Sequence, residues 1–148
     1  MKDRLVAGGL AGAIAGLLQY GYGVAALKLG LTDRIFGQFS DIVFGGRVYS
    51  GVLGTVISIL THLAVTITLG VIFAYVIQKT SSRYYLLKSA GYGLLLWFFL
   101  SGFGTILRLP LFEHIPEQPA LVVLGGSLLF GLVLGYTLKL IDGKSKLL

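Results

Sequence analysis

Four long stretches of this sequence contain no Asp, Glu, Lys or Arg. They cover 23 residues between Arg4 and Lys28, 31 between Arg47 and Lys79, 19 between Lys88 and Arg108, and 21 between Glu117 and Lys139. About 20 helical residues cross a hydrocarbon core about 30 Å thick, so each stretch is long enough to span a bilayer and no other part of the chain is. Helices are preferred over barrel strands because each run far exceeds the ~9–11 residues of such a strand and none alternates apolar with polar residues. The expected spans are approximately 5–27, 52–77, 86–107 and 120–138. The expected fold is all-α: an integral membrane four-helix bundle forming a single domain over residues 1–148, its interior filled by side chains.

Composition points the same way. Only 12% of the residues are charged and 55% are hydrophobic, whereas a soluble domain carries roughly 25% charged residues. The absence of cysteine excludes disulfides, thiolate metal sites and cysteine nucleophiles. The first stretch follows Met1-Lys2-Asp3-Arg4, a beginning that suits a signal peptide. Its apolar run is longer than the usual ~7–15 residues, and no small-residue cleavage site stands out. A retained span is expected.

The net charge of +6 is distributed unevenly. Lys2, Arg4, Lys79, Arg83, Lys88, Lys139, Lys144 and Lys146 lie with Asp3 and Asp142 at the termini and the second connection, a net +6. The first and third connections hold Lys28, Arg34, Arg47 and Arg108 against Asp33, Asp41, Glu113 and Glu117, a net zero. Positively charged connections stay in the cytoplasm, so both termini are expected there. These lysines mark topology and contact with anionic lipid; a nucleic-acid partner is not expected.

The first outer connection is long. Thr32 or Asp33 is placed to cap a helix whose apolar positions Ile35, Phe36, Phe39, Ile42 and Val43 recur with a spacing near 3.6, while Arg34, Gln38 and Asp41 fall on the other side. A short amphipathic helix is expected here, lying at the outer interface, partly re-entrant, or packed as a lid on the bundle. Gly45-Gly46 ends it. The third connection carries all three prolines and is expected to be a rigid crossover. Gly45-Gly46 with Gly51 weakly echoes Gly125-Gly126 with Gly131, but at different positions relative to the spans, and reads as coincidence.

Three patterns within the spans bear on function. Gly8, Gly12 and Gly16, and likewise Ser127, Gly131 and Gly135, recur every four residues. Small residues at this spacing let another helix backbone approach closely, either within one bundle or between subunits. In the second span Thr55, Ser58, His62 and Thr66 share one helical face, with His62 near the bilayer midplane. A histidine there must face protein or water, so it either serves a proton relay, ligand or permeation path, or ties helices together as a neutral imidazole. In the third span Trp97, Ser101, Thr105 and Arg108 form a similar stripe. Arg108 is placed to snorkel at the outer end, to pair with Glu113 or Asp41, or to meet an anionic headgroup. Gln19, Tyr20, Tyr22, Phe44, Tyr49 and Phe112 are expected in the outer aromatic belt.

Glu113, His114 and Glu117 offer metal-ligand types without an established spacing. No phosphate-binding loop, dinucleotide fingerprint or acyl-transfer motif is present, so neither a cofactor nor an enzymatic role is expected. Tyr92-Gly93-Leu94-Leu95-Leu96-Trp97 and Gly131-Leu132-Val133-Leu134-Gly135-Tyr136, with the four spans and the long first connection, make the chain similar to the YqhR family of small bacterial membrane proteins. The resemblance implies the bacterial plasma membrane and assigns no activity.

The sequence leaves two leading roles: transport or permeation of a small solute or ion, with the protein oligomeric and His62, Ser58 and Thr66 on the path, or a non-catalytic accessory subunit of a membrane complex. Recognition of lipid headgroups at Arg108 is a third. The topology has a direct test. A membrane-impermeant thiol reagent applied from outside the cell should label a Ser40→Cys variant and spare Ser82→Cys and Ser145→Cys; the reverse pattern would invert the map.

Overall fold

The computed structural model describes residues 3–38, 43–44, 51–80, 84–109, 112 and 114–145, with backbone alone for 143–145. Among these the structure is all-α, with four long helices: α1 (Arg4–Lys28), α2 (Gly51–Gln78), α3 (Tyr85–Ile106) and α4 (Glu117–Ser145). Each is long and apolar enough to cross a bilayer. Of the amphipathic helix expected in the first connection, the described residues hold a 3₁₀ turn, Phe36–Gln38, and Val43 with helical backbone; Phe39 to Ile42 lie outside the described residues.

Local chemistry sets the helix ends. Asp3 caps α1 by accepting a hydrogen bond from the Val6 amide at 3.1 Å, satisfying one of the donors a helix start leaves free. At the other end the Gly30 amide bonds the Leu27 carbonyl and the Leu31 amide the Ala26 carbonyl, with Gly30 in the left-handed region at φ 69, a Schellman cap. The same pair of bonds closes α3, from Arg108 to Thr105 and from Leu109 to Gly104. There Arg108, at φ 52, holds the position usually given to glycine.

Consecutive helices run antiparallel, so α1 and α4 bring both chain ends to one side. Large apolar side chains such as Val52, Leu53, Phe98 and Leu121 are exposed on the outside, as a lipid-facing surface requires. The inside is built from small residues and a few large ones: Ala7, Ala11 and Ala15 of α1 meet Phe73 and Ala74 of α2 and Phe130, Leu134 and Leu138 of α4. Lipid gives helices no hydrophobic reason to associate, so dispersion contact and close backbone approach must hold them.

Two glycine seams supply that approach. In the first, α1 lies on α2: a Cβ on Gly8 would come within 2.8 Å of the Gly70 carbonyl oxygen, one on Gly12 would strike the Thr66 carbonyl, and one on Gly16 would strike the Thr66 hydroxyl. In the second, α3 lies on α4: a Cβ on Gly93 would strike the Ser127 carbonyl, one on Gly131 the Ser89 carbonyl, and one on Gly135 the Ser89 hydroxyl. The contacts correspond one to one. Thr66 matches Ser89, Gly70 matches Gly93, and the triplet of α1 matches the triplet of α4. Thr66 and Ser89 even return their hydroxyls to the carbonyl three residues earlier, Leu63 and Leu86, at 3.2 and 2.9 Å. Carbonyl oxygens held over glycine Cα atoms also permit weak Cα–H···O bonds. Both small-residue grooves are thus occupied by helices of the same chain.

Helices α1 and α4 pack closely as well, whereas α2 and α3 meet chiefly through long side chains. Phe73 faces Tyr92 at 4.9 Å between ring centroids and Tyr85 at 6.3 Å, edge-on, and the Tyr92 hydroxyl donates to the Leu69 carbonyl at 3.0 Å. The α2–α3 side is the loosest seam of the bundle.

A methyl group in either tight seam must push two backbones apart. Gly12→Ala and Gly131→Ala should each destabilise the protein by about 1–3 kcal/mol, the usual penalty of overpacking, read as a lower melting temperature in detergent. Gly21→Ala, whose Cβ meets nothing within 4 Å, is the control and should not destabilise. Equal melting of all three variants would contradict the seam.

Candidate functional site

The polar stripe of α2 divides. Thr55 is exposed and returns its hydroxyl to the Gly51 carbonyl of its own helix at 3.0 Å. Ser58, His62 and Thr66 turn inward, where they meet α1 and the 3₁₀ turn. His62 is buried, 3% exposed, and its Nε2 lies 3.1 Å from the Gly16 carbonyl. The backbone of Phe36 supplies the ring with a second hydrogen-bond partner. Tyr20 packs a tilted ring against the imidazole at 5.6 Å. Because Gly16 has no side chain, both the imidazole and the Thr66 hydroxyl can reach its backbone.

Ser58 donates to the Gly37 carbonyl, four residues before His62 and thus one helical turn nearer the outer end. Gly37 must be small, since a Cβ there would strike the Tyr20 ring. The approach to the turn is locally fixed: Thr32 Oγ1 donates to the Arg34 carbonyl at 2.8 Å and accepts from its amide at 3.2 Å, and Gln38 Oε1 accepts from the Ile35 amide at 3.0 Å. Arg34 and Asp33 form an exposed ion pair at 2.7 Å, and the guanidinium holds the Asp33 carboxyl below its usual range. His62 and Ser58 therefore fasten residues 36–37 into the outer mouth between α1 and α2.

Little space remains around this cluster. The two recesses that His62 lines, one with Gln19 and Phe36 and the other with Tyr20 and Gly37 as well, each amount to about 20 Å³, roughly the room of one water molecule. Gln19, expected in an aromatic belt, is instead buried at 8% exposure. Tyr22 lays its ring over Gly125 and Gly126. Phe112, also expected at the interface, is buried against Gly104, where a Cβ would strike its ring. At Phe112 a small partner residue draws in an aromatic ring that composition alone places at the headgroups, whereas Tyr22 stays exposed.

The stripe of α3 forms no comparable cluster. Trp97 and Ser101 are half-buried. Thr105 donates to the Ser101 carbonyl at 2.8 Å and reaches the Phe112 carbonyl at 3.3 Å, which ties the crossover to the helix end. Arg108 is exposed. Both of its expected acidic partners, Asp41 and Glu113, lie outside the described residues, as do Tyr49 and the Gly45-Gly46 pair.

The larger recesses lie at the opposite end, one between α2 and α3 and the other where these two meet the end of α4, and sequence reasoning did not single them out. One of about 540 Å³ is lined by Thr80, Tyr85, Lys139 and Asp142, and one of about 470 Å³ by Lys88, Gly91, Tyr92 and Leu95. Their lysines served only as topology markers in the sequence, and nothing in the spacing shows that α2 and α3 stand apart. No family model, no curated protein and no solved structure matches the chain.

Ser58 and His62 should hold residues 32–38 against exchange. Ser58→Ala leaves the Gly37 carbonyl without this donor, a loss of about 1 kcal/mol, so amide exchange there should accelerate about fivefold while exchange in the seams is unchanged. Unaltered exchange at 32–38 would show that the outer segment is held by other contacts.

Proposed function

We propose that this small polytopic membrane protein works by binding, as a non-catalytic accessory protein of the membrane, and that a single chain conducts nothing. The contrast in free space carries this reading. The polar residues suited to a permeation path are buried among recesses of about 20 Å³, while recesses of about 540 and 470 Å³ open at the opposite end, within the ~300–1,000 Å³ of ligand sites. His62, Ser58 and Thr66 then serve to fix the outer segment and the α1–α2 seam. The cationic ends and second connection face the cytoplasm on this reading, by the charge asymmetry. The bacterial plasma membrane follows from the resemblance to the YqhR family. Arg108 closes α3 and takes no part in binding.

Transport is the second reading, and one observation favours it: a buried histidine near the midplane whose partners include a connecting segment, so that displacing residues 36–37 would open its ring to the outer side. Proteoliposomes decide between the two. Wild type and His62→Ala should be equally silent toward protons, potassium and small neutral solutes, with flux at the level of empty vesicles. Wild-type flux that falls on His62→Ala would establish the transport reading in place of the binding one.

A further inference from the structure

Three of the helix pairs in the bundle pack backbone close to backbone, and the fourth does not. Between α2 and α3 the floor is aromatic: Phe73 packs on Tyr92 and Tyr85. Two recesses flank it on the side of the chain termini, and Ile77 and Thr80 line both. The lateral one is apolar apart from Lys88, Thr80 and Tyr92, with Val76, Leu94 and Leu95 in its walls. The terminal one carries the polar groups, Lys139, Asp142, Thr80 and Tyr85. We propose that this cleft binds an anionic phospholipid from the leaflet on the side of the termini, with an acyl chain along the lateral slot and the phosphodiester between Lys88 and Lys139.

Three features fit that occupant. The combined space suits a chain and a headgroup together and far exceeds what an inorganic anion fills. Polarity is graded in the required sense, hydrocarbon-like toward the middle of the span and cationic at its end. Lys88 lines the lateral recess and Lys139 the terminal one, together with Asp142. Basic recesses between helices at the cationic face of a membrane protein favour anionic headgroups. A free phosphate would leave the lateral slot unfilled, which is why a lipid is chosen.

The proposal deepens the binding reading, yet the two fail separately, because flux is measured without reference to lipid identity. The test is native mass spectrometry of the full chain offered equal amounts of phosphatidylglycerol and phosphatidylcholine with identical acyl chains. Wild type should retain phosphatidylglycerol in preference by roughly tenfold, as two lysines near a charged headgroup allow. The Lys88→Gln, Lys139→Gln double variant should lose the preference while still binding some of both lipids. Gly91 lines the slot and a Cβ there meets nothing within 4 Å, so Gly91→Leu should fill the slot, preserve helicity and reduce retention of both lipids. Equal retention of the two lipids by wild type would overturn the proposal, as would a preference untouched by both variants. A Gly91→Leu protein that loses a second copy of the chain without losing lipid would assign the cleft to helix docking and also overturn it.

Discussion

Hydrocarbon offers one apolar helix no reason to prefer another over lipid, and the architecture of this protein follows from how that constraint is met. Association must come largely from close contact between backbones, which small residues such as glycine, alanine, serine and threonine permit. The chain concentrates these residues on two seams of matching contacts, α1 on α2 and α3 on α4, and sets a row of alanines on α1 within the core it shares with α2 and α4. Where backbones cannot touch, as between α2 and α3, aromatic side chains bridge the distance and recesses remain. Tight and loose sides of the bundle are two consequences of one distribution of small residues.

The seams sit in the half of the bundle nearer the termini, since Gly8, Gly12 and Gly16 begin α1 while Ser89 and Gly93 begin α3. The far half is closed differently. Residues 36–37 enter between α1 and α2, held by Ser58 and His62, and Phe112 enters against Gly104. Ser58 and His62 of the α2 stripe are therefore engaged in fastening a connection. The correspondence of Thr66 with Ser89 and of Gly70 with Gly93 runs in opposite chain order, triplet first in one hairpin and last in the other. A repeat search in sequence order misses it for that reason.

Much of the fold was legible in the sequence because span length and charge position act over 20 residues at a time. The four helices, their antiparallel order and the two triplets needed nothing more. What each triplet touches was not legible: Gly70 and Gly93 are single glycines among many, and Ser89 sits beside Lys88, where it reads as part of a helix end. The inward face of His62 followed from the cost of burying imidazole in lipid, but its partners are backbone groups from α1 and the first connection, which carry no side-chain signature. The aromatic belt expectation failed at Gln19 and Phe112, where contact with a neighbouring small residue or recess outweighed the headgroup preference. The α2–α3 cleft is a gap, and gaps have no residues of their own to read.

The central claim is that glycine Cα atoms of α1 and α2, and of α3 and α4, touch within a single chain. Solid-state NMR on glycine-Cα-labelled protein in lipid bilayers reads this directly. Cross-peaks between Gly12 and Gly70 and between Gly93 and Gly131 are predicted, with relative intensities that survive dilution into unlabelled protein, and none between Gly70 and Gly93. Their absence, or their disappearance on dilution, would mean that the grooves pair different copies and that the bundle described here is not how the chain folds.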